Sequence, residues 1–200
     1  SDTANDESGG PPTDKPRGAE LAAFKARLGG IRTEEAPALV RQRSRDFHWY
    51  SPLRKRAWEA VTSQLIVSPA DEKELHQVLS AAAEAGMAVS PRGGGTGIAG
   101  ASLPLAGGIT LDLSGLNKVL AVQPGRVVAE AGAVIGDIDR AARPQSQELR
   151  IHPSTHATAS IGGFIAGGTG GIGDVTVPAI VSSNRAHCSV VSAGPTSAGS

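Results

Sequence analysis

The chain has 200 residues, with 26 Gly, 13 Pro and only 3% aromatic residues. It is long enough for one domain of ordinary size and poor in the large side chains that usually fill a core. Its 19 basic residues balance 19 acidic ones, which excludes the broad electropositive surface of a nucleic-acid binder. No run approaches the roughly 18 apolar residues of a membrane-spanning helix, and the polar opening SDTANDESGG has no hydrophobic signal region, so a cytoplasmic protein without a membrane span is expected. Cys188 is the single cysteine, so no intrachain disulfide can form and the fold must hold by packing or by a bound ligand.

Charge and glycine are distributed in opposite senses: 25 of the 38 charged residues fall in positions 1–88 and 20 of the 26 glycines in positions 89–200, which places a boundary near residue 88. Residues 1–18, rich in Ser, Asp, Gly and Pro and without apolar periodicity, read as a disordered tail. Residues 19–64 read as a helical and linker segment. Within it, Ala19–Leu28 predicts a short helix stopped by Gly29 and Gly30. Further on, Arg41, Arg43, Arg45, Arg54, Lys55 and Arg56 surround Phe47, Trp49 and Tyr50. Base beside aromatic suits single-stranded nucleic acid, but the segment is short and the chain neutral, which favours a solvated linker packing its aromatics onto the domain.

The main domain is expected over 65–185, with an irregular tail over 186–200. The β-branched run Leu65-Ile66-Val67 predicts a strand that turns at Ser68-Pro69-Ala70-Asp71. A helix follows, with Ser68 and Asp71 in the form of a capping box, Leu75, Val78, Leu79 and Ala82 on one face, and Gly86 as the stop. Met87–Ser90 predicts the next strand and completes a β-α-β unit over 65–90. Ile109–Leu113 alternates apolar with polar residues and predicts a half-buried strand. Val119–Val122 and Val127–Ala131 predict a strand pair joined at Pro124-Gly125. Ala133–Ala142 predicts a second helix with Val134, Ile135, Ile138 and Ala141 on one side. Strands and helices mix without strict alternation, which gives an α+β class rather than a doubly wound sheet.

Two glycine-rich segments dominate the second half, Pro91-Arg-Gly-Gly-Gly-Thr-Gly-Ile-Ala-Gly100 and Ile161-Gly-Gly-Phe-Ile-Ala-Gly-Gly-Thr-Gly-Gly-Ile-Gly173. Consecutive glycines cost backbone entropy, so a chain that keeps them needs positive φ angles or close approach to its amides. N–H groups converging on one concavity bind phosphate oxygens. Both segments contain G-x-G-x-x-G, at Gly95/Gly97/Gly100 and at Gly168/Gly170/Gly173. A Rossmann site also needs a helix starting inside the motif and an acidic residue about twenty positions on. Pro104, Gly107 and Gly108 oppose such a helix after the first motif and Pro178 after the second, and no Gly-Lys-Ser/Thr triplet supplies a P-loop. What remains is a phosphate cradle of another architecture.

Five ordered blocks narrow this further. Val67-x-Pro69 is followed by Pro91-Arg-Gly-Gly-Gly-Thr-Gly97, Gly107-Gly-Ile-Thr-Leu-Asp-Leu113, Glu130-Ala-Gly132, then His152-Pro-Ser-Thr155 with Ile161-Gly-Gly163. The succession resembles the FAD-binding domain of the vanillyl-alcohol oxidase (PCMH-type) superfamily, within it the glycolate oxidase and D-lactate dehydrogenase group of FAD-linked 2-hydroxy acid oxidoreductases. The resemblance implies a domain of two small α+β subdomains with FAD extended between them. It implies that Arg92, Gly93, Gly94, Gly95, Thr96 and Gly97 hold the pyrophosphate. Pro153, Ser154, Ser160, Ile161, Gly162, Gly163 and Ala166 would form the second wall, beside the ribityl chain and flavin ring. Some members attach flavin through a histidine near the place of Thr96; threonine cannot form that bond, so FAD is expected to be noncovalent.

The larger relatives carry a cap domain that supplies the substrate-binding and catalytic side chains. Residues 1–200 contain none of it, so no catalytic residue is assigned and the chain alone is expected to be incomplete and inactive. The small-molecule 2-hydroxy acid would then be met by a missing cap domain or a partner chain. Two alternatives stay open: a noncatalytic flavin-binding fragment or subunit, and a domain like that of UDP-N-acetylenolpyruvoylglucosamine reductase. After Gly173 the sequence departs from the family pattern, through divergence or a shifted reading frame. His152 and His156 are four apart, but Pro153 breaks a continuous helix through both and no third ligand accompanies them, so a loop wall is favoured over a metal site. Cys188, next to His187, reads as a structural thiol.

Overall fold

The computed structural model describes residues 18–47, 58–149 and 153–168, with the backbone of short strands at 181–182, 187–191 and 193–195. The expected disordered tail falls outside the described residues except for Gly18, which opens helix α1 (Gly18–Leu28). Strand β1 (Arg32–Glu34) and helix α2 (Pro37–Arg43) follow, both within the stretch read as linker. Strand β2 (Leu65–Ser68), helix α3 (Glu72–Glu84), strand β3 (Val89–Arg92) and strand β4 (Ile109–Asp112) complete the first half. The sheet order is β1-β2-β4-β3, with β4 parallel to both neighbours and β1 antiparallel at the edge. The β-α-β unit is therefore present, with β4 inserted between its two strands.

Three expectations are corrected in this half. Asp71 itself caps α3, its carboxylate accepting from the Glu74 N–H at 2.8 Å while Glu74 accepts from the Ala70 N–H at 2.7 Å. The capping pair is Asp71 with Glu74 because Ser68 is still in the strand. Leu79 is 41% exposed, and the buried face of α3 is Val78, Ala81 and Ala82, packed with Phe24 and Leu28 of α1. Strand β4 is buried at all four positions, not half-buried, because both of its edges are paired and both of its faces covered. Its polar residues have partners: the Thr110 hydroxyl donates to Ser63 Oγ at 2.9 Å, and the Ser63 N–H donates to Ser44 Oγ at 3.1 Å. Ser44 in turn donates to the Val40 carbonyl at 2.8 Å, which ties the end of α2 to the sheet.

The second half holds the antiparallel pair β5 (Val119–Gln123) and β6 (Arg126–Glu130), joined at Pro124-Gly125 as expected. Helix α4 (Ile135–Ala142) starts two residues later than expected, with Val134 at its cap and Ala142, not Ala141, fully buried. A 3-10 turn (Arg143–Gln145) leads to β7 (Gln147–Leu149). Strands β8 (Val181–Ser182) and β9 (His187–Val191) extend the second sheet in the order β5-β6-β9-β8, and β10 (Ala193–Pro195) pairs with β7. The stretch 186–200 thus contributes two strands where an irregular tail was expected, because β6 and β7 each offer an edge that β9 and β10 satisfy.

Each half has its own core. Leu65, Val67, Ile109 and Leu111 of the first sheet pack with α1 and α3; Val127, Ala129, Ile135, Ile138 and Ile161 fill the second. The architecture is the expected two-part α+β domain. Where the halves adjoin, packing is backbone on backbone, since a Cβ at Gly132 would stand 1.9 Å from the Leu113 carbonyl oxygen; within the second half one at Gly162 would stand 2.7 Å from that of Ala131. Among the described residues no helix is long and apolar enough to cross a membrane.

Candidate functional site

The first glycine segment leaves the end of β3 and meets the second directly. A Cβ at Gly93 would lie 1.9 Å from Ser160 Oγ, and one at Gly94 would lie 2.2 Å from the Thr158 carbonyl oxygen. The Gly94 N–H donates to Ser160 Oγ at 3.4 Å, and the Gly163 N–H donates to the same hydroxyl at 3.4 Å. Ser160 caps helix α5 (Ile161–Ala166), a single short helix in a stretch read as loop. Glycine disfavours helix there, but two tertiary bonds fix it: the Ile161 N–H donates to the Ala133 carbonyl at 2.9 Å and the Gly162 N–H to the Ala131 carbonyl at 2.8 Å. The rest of the second segment, from Thr169, lies outside the described residues.

Gly95 has φ +66 and lies under the Arg92 guanidinium, where a Cβ would come within 2.1 Å of Nη2. Past it the loop offers bare donors: among the described residues nothing accepts from the N–H groups of Gly95, Thr96 and Gly97. The Gly97 carbonyl is used, accepting from the Phe47 N–H at 3.0 Å. Unpaired backbone N–H groups beside a cation are donors for an anion, and the Asp46 carboxylate bounds them on the Gly97 side, 3.4 Å from where a Cβ there would lie.

Arg92 Nη1 donates to the Arg45 carbonyl, and Arg92 Nε is buried with no partner among the described residues. Burial holds the guanidinium below its ordinary pKa; Arg43 pushes the same way, while Asp112 and Asp46 oppose it. Arg43 Nη1 stands 3.4 Å from Asp112 Oδ2, and the Asp112 carboxylate also accepts from the Ser114 N–H at 3.0 Å. Bare consecutive amides beside a half-buried guanidinium are donors that a diphosphate requires. The residues present fit that group.

The structure brings Gly93 and Gly94 against Ser160, with Gly163 on the same hydroxyl, and places Gly95, Thr96 and Gly97 on the adjoining loop. Pro153 and Ser154 open a separate turn in which the Pro153 carbonyl accepts from the His156 N–H at 3.0 Å, and Ser154 is exposed. Ile161 points into the second core, and Ala166 is exposed at the far end of α5. His152 lies outside the described residues; Cys188 stands in β9, opposite Ala129. Sequence reasoning missed Arg43, Arg45, Asp46 and Asp112 around Arg92. The alternation Arg41-x-Arg43-x-Arg45 was visible, but nothing in the sequence joined it to a loop about fifty residues on.

Residues 63–184 match the family described as FAD binding domain, and the chain belongs to that family. The fold and the cradle therefore define a flavoprotein domain whose cofactor is FAD. An uncharacterised FAD-linked oxidoreductase of Mycobacterium tuberculosis is 29% identical over 153 residues, 76% of this chain and 32% of the relative. A D-lactate dehydrogenase of Archaeoglobus fulgidus is 32% identical over 114 residues, 56% of this chain and 26% of the relative. A solved structure of alkyldihydroxyacetonephosphate synthase superposes with a TM-score of 0.72 at 17% identity, over 90% of this chain and 41% of that one. The chain spans about a third or less of the length of these curated relatives.

Proposed function

We propose that the chain is the FAD-binding part of an oxidoreductase that acts on a 2-hydroxy acid of the lactate or glycolate type. The observation that carries the cofactor half is the meeting of the two glycine segments, Gly93 and Gly94 on Thr158 and Ser160, beside the bare amides of Gly95, Thr96 and Gly97. The likeness to a D-lactate dehydrogenase supports the substrate half.

In this reading the amides of Gly95, Thr96 and Gly97 hold the diphosphate oxygens. The absence of side chains at Gly93 and Gly94 lets the first segment close onto Thr158 and Ser160 of the second. Ser160 fixes the second wall by accepting from both segments, so the two halves are held at one spacing. FAD, when bound, supplies a two-electron acceptor for the hydride released when an α-hydroxyl carbon becomes a carbonyl. Thr96, near the place where some family members carry a histidine, has no group that bonds to flavin, so in this reading the cofactor is held without a covalent link.

The test uses the purified chain loaded with FAD. Acid precipitation should release all of the flavin to the supernatant; flavin retained in the pellet sinks the noncovalent reading. Bleaching of the visible flavin band on anaerobic addition of D-lactate or glycolate supports the substrate assignment. A flavin that is bound but stays oxidised with every 2-hydroxy acid tried, in the chain and in its full-length relatives, counts against it.

A further inference from the structure

We propose that the segment Arg43–Phe47, which precedes the family match, is a clamp that presets the glycine loop for the diphosphate, with Arg92 as the positioning residue through which it acts. This rests on the reading of residues 93–97 as the FAD cradle.

Three ties join the segment to the loop and its base. Arg43 pairs with Asp112 at 3.4 Å, at the end of β4 and in register with Arg92. The Arg45 carbonyl accepts from Arg92 Nη1. The Phe47 N–H donates to the Gly97 carbonyl at 3.0 Å. A weaker fourth contact runs from Ser102 Oγ to Asp46 Oδ2 at 3.5 Å, beyond the loop's far end. The segment is itself anchored on its other side, where the Arg45 guanidinium donates to the Val61 carbonyl at 2.7 Å and to the Glu59 carbonyl.

The need for such a clamp follows from composition. Gly93, Gly94 and Gly95 have the widest backbone freedom of any residues, so a loop built on them samples many states unless something outside holds it. Arg92 does this from within: its guanidinium closes over Gly95, where no Cβ would fit, and spends one N–H on the Arg45 carbonyl. Asp112, in register with it at the end of β4, already pairs with Arg43, and Arg92 Nη1 is committed to the Arg45 carbonyl. It acts on the diphosphate through the loop's shape.

The apparent affinity of a ligand falls with the fraction of the protein in the competent state. Arg45→Ala removes the anchor without touching the glycine loop, and Arg92→Ala removes the strut. Each should raise the FAD Kd about tenfold if the competent loop falls to about a tenth of the population. Residue-resolved hydrogen exchange on the FAD-free chain should show the Phe47 amide opening faster by a similar factor, with the amides of β6 unchanged as a check on folding. Arg92→Lys, which keeps a cationic donor at this position, should retain most of the Phe47 protection. Unchanged Phe47 exchange in both alanine variants overturns the clamp, whatever their affinity. Weak FAD binding by Arg92→Ala with normal Phe47 exchange overturns it too, and makes Arg92 a direct phosphate ligand. If Arg92→Ala loses β6 protection, Arg45→Ala decides the matter by the same two readings. Failure of the wild-type chain to take up FAD would defeat the cradle reading instead, and the exchange measurements, made without FAD, would still decide the clamp.

Discussion

A single methyl group at Gly94 should push the two walls of the cradle apart. Its Cβ would stand 2.2 Å from the Thr158 carbonyl oxygen and 3.2 Å from the carbonyl carbon, where ordinary contact begins at 3.4 Å. Relief takes a displacement of about 1.2 Å, and since both atoms are backbone, either the loop or the 158–160 strand of chain must move. Overpacking on this scale costs about 1–3 kcal/mol. If that cost falls on the contact between the walls, FAD affinity drops about 5- to 150-fold for Gly94→Ala. Gly107→Ala is the matched control: φ is +70 there, but nothing lies within 4 Å of the added Cβ. It should lower global stability by about 1–2 kcal/mol through backbone strain and leave affinity alone. Titration of each variant with FAD, followed by the change in flavin fluorescence, gives the affinities, and urea unfolding gives the stabilities. Wild-type affinity in Gly94→Ala, or an equal loss in Gly107→Ala, would refute the steric argument.

Three further outcomes follow from the geometry. FAD at a hundred times its Kd should stabilise the chain by about 2.7 kcal/mol, raising Tm by about 5–11 °C; a melting curve indifferent to FAD would remove the cofactor assignment. Thr110→Val keeps the shape of a fully buried side chain but deletes the donor to Ser63 Oγ, and should lower stability by about 1–2 kcal/mol at constant m-value. An unaltered urea midpoint would show that the Ser44–Ser63–Thr110 chain contributes nothing. Asp71→Ala should cost about 1 kcal/mol and Ser68→Ala almost nothing, since Asp71 and not Ser68 caps α3; the reverse order would restore the capping box read from the sequence.

The parts of the fold legible in the sequence were those whose signal is local. Helix α3 announces itself by a cap, a periodic face and a stop, and the β5–β6 pair by two β-branched runs around Pro124-Gly125. Local signals misled where neighbours decide the environment. Thr110 and Asp112 made β4 look half-exposed, yet its central place between two parallel strands buries it and the hydroxyls and guanidinium around it supply partners. Helix α5 runs through Gly162 and Gly163 against propensity because the Ala131 and Ala133 carbonyls hold its first turn. Strand β1 and helix α2 are too short for periodicity to register. At the site, glycine content marked both loops, but their contact joins residues more than sixty positions apart, and the ring of Arg43, Arg45, Asp46 and Asp112 around Arg92 depends wholly on the tertiary fold.

Gly93, Gly94, Gly132 and Gly162 share a property that no residue of either core has. A buried leucine can be trimmed or enlarged, and a neighbour can adjust in the opposite sense. At these four positions nothing can be taken away, and each added atom meets Ser160, Thr158, Leu113 or Ala131 at less than 3 Å. Variation there runs in one direction only. Any tuning of the space between the two halves is thereby displaced onto the facing residues: onto the side chain at Ser160 opposite Gly93, and onto the backbone path of Thr158–Ser160 and Leu113. A library that randomised the glycines would recover glycine, while one that randomised Thr158, Ala159 and Ser160 would sample cradles of different width.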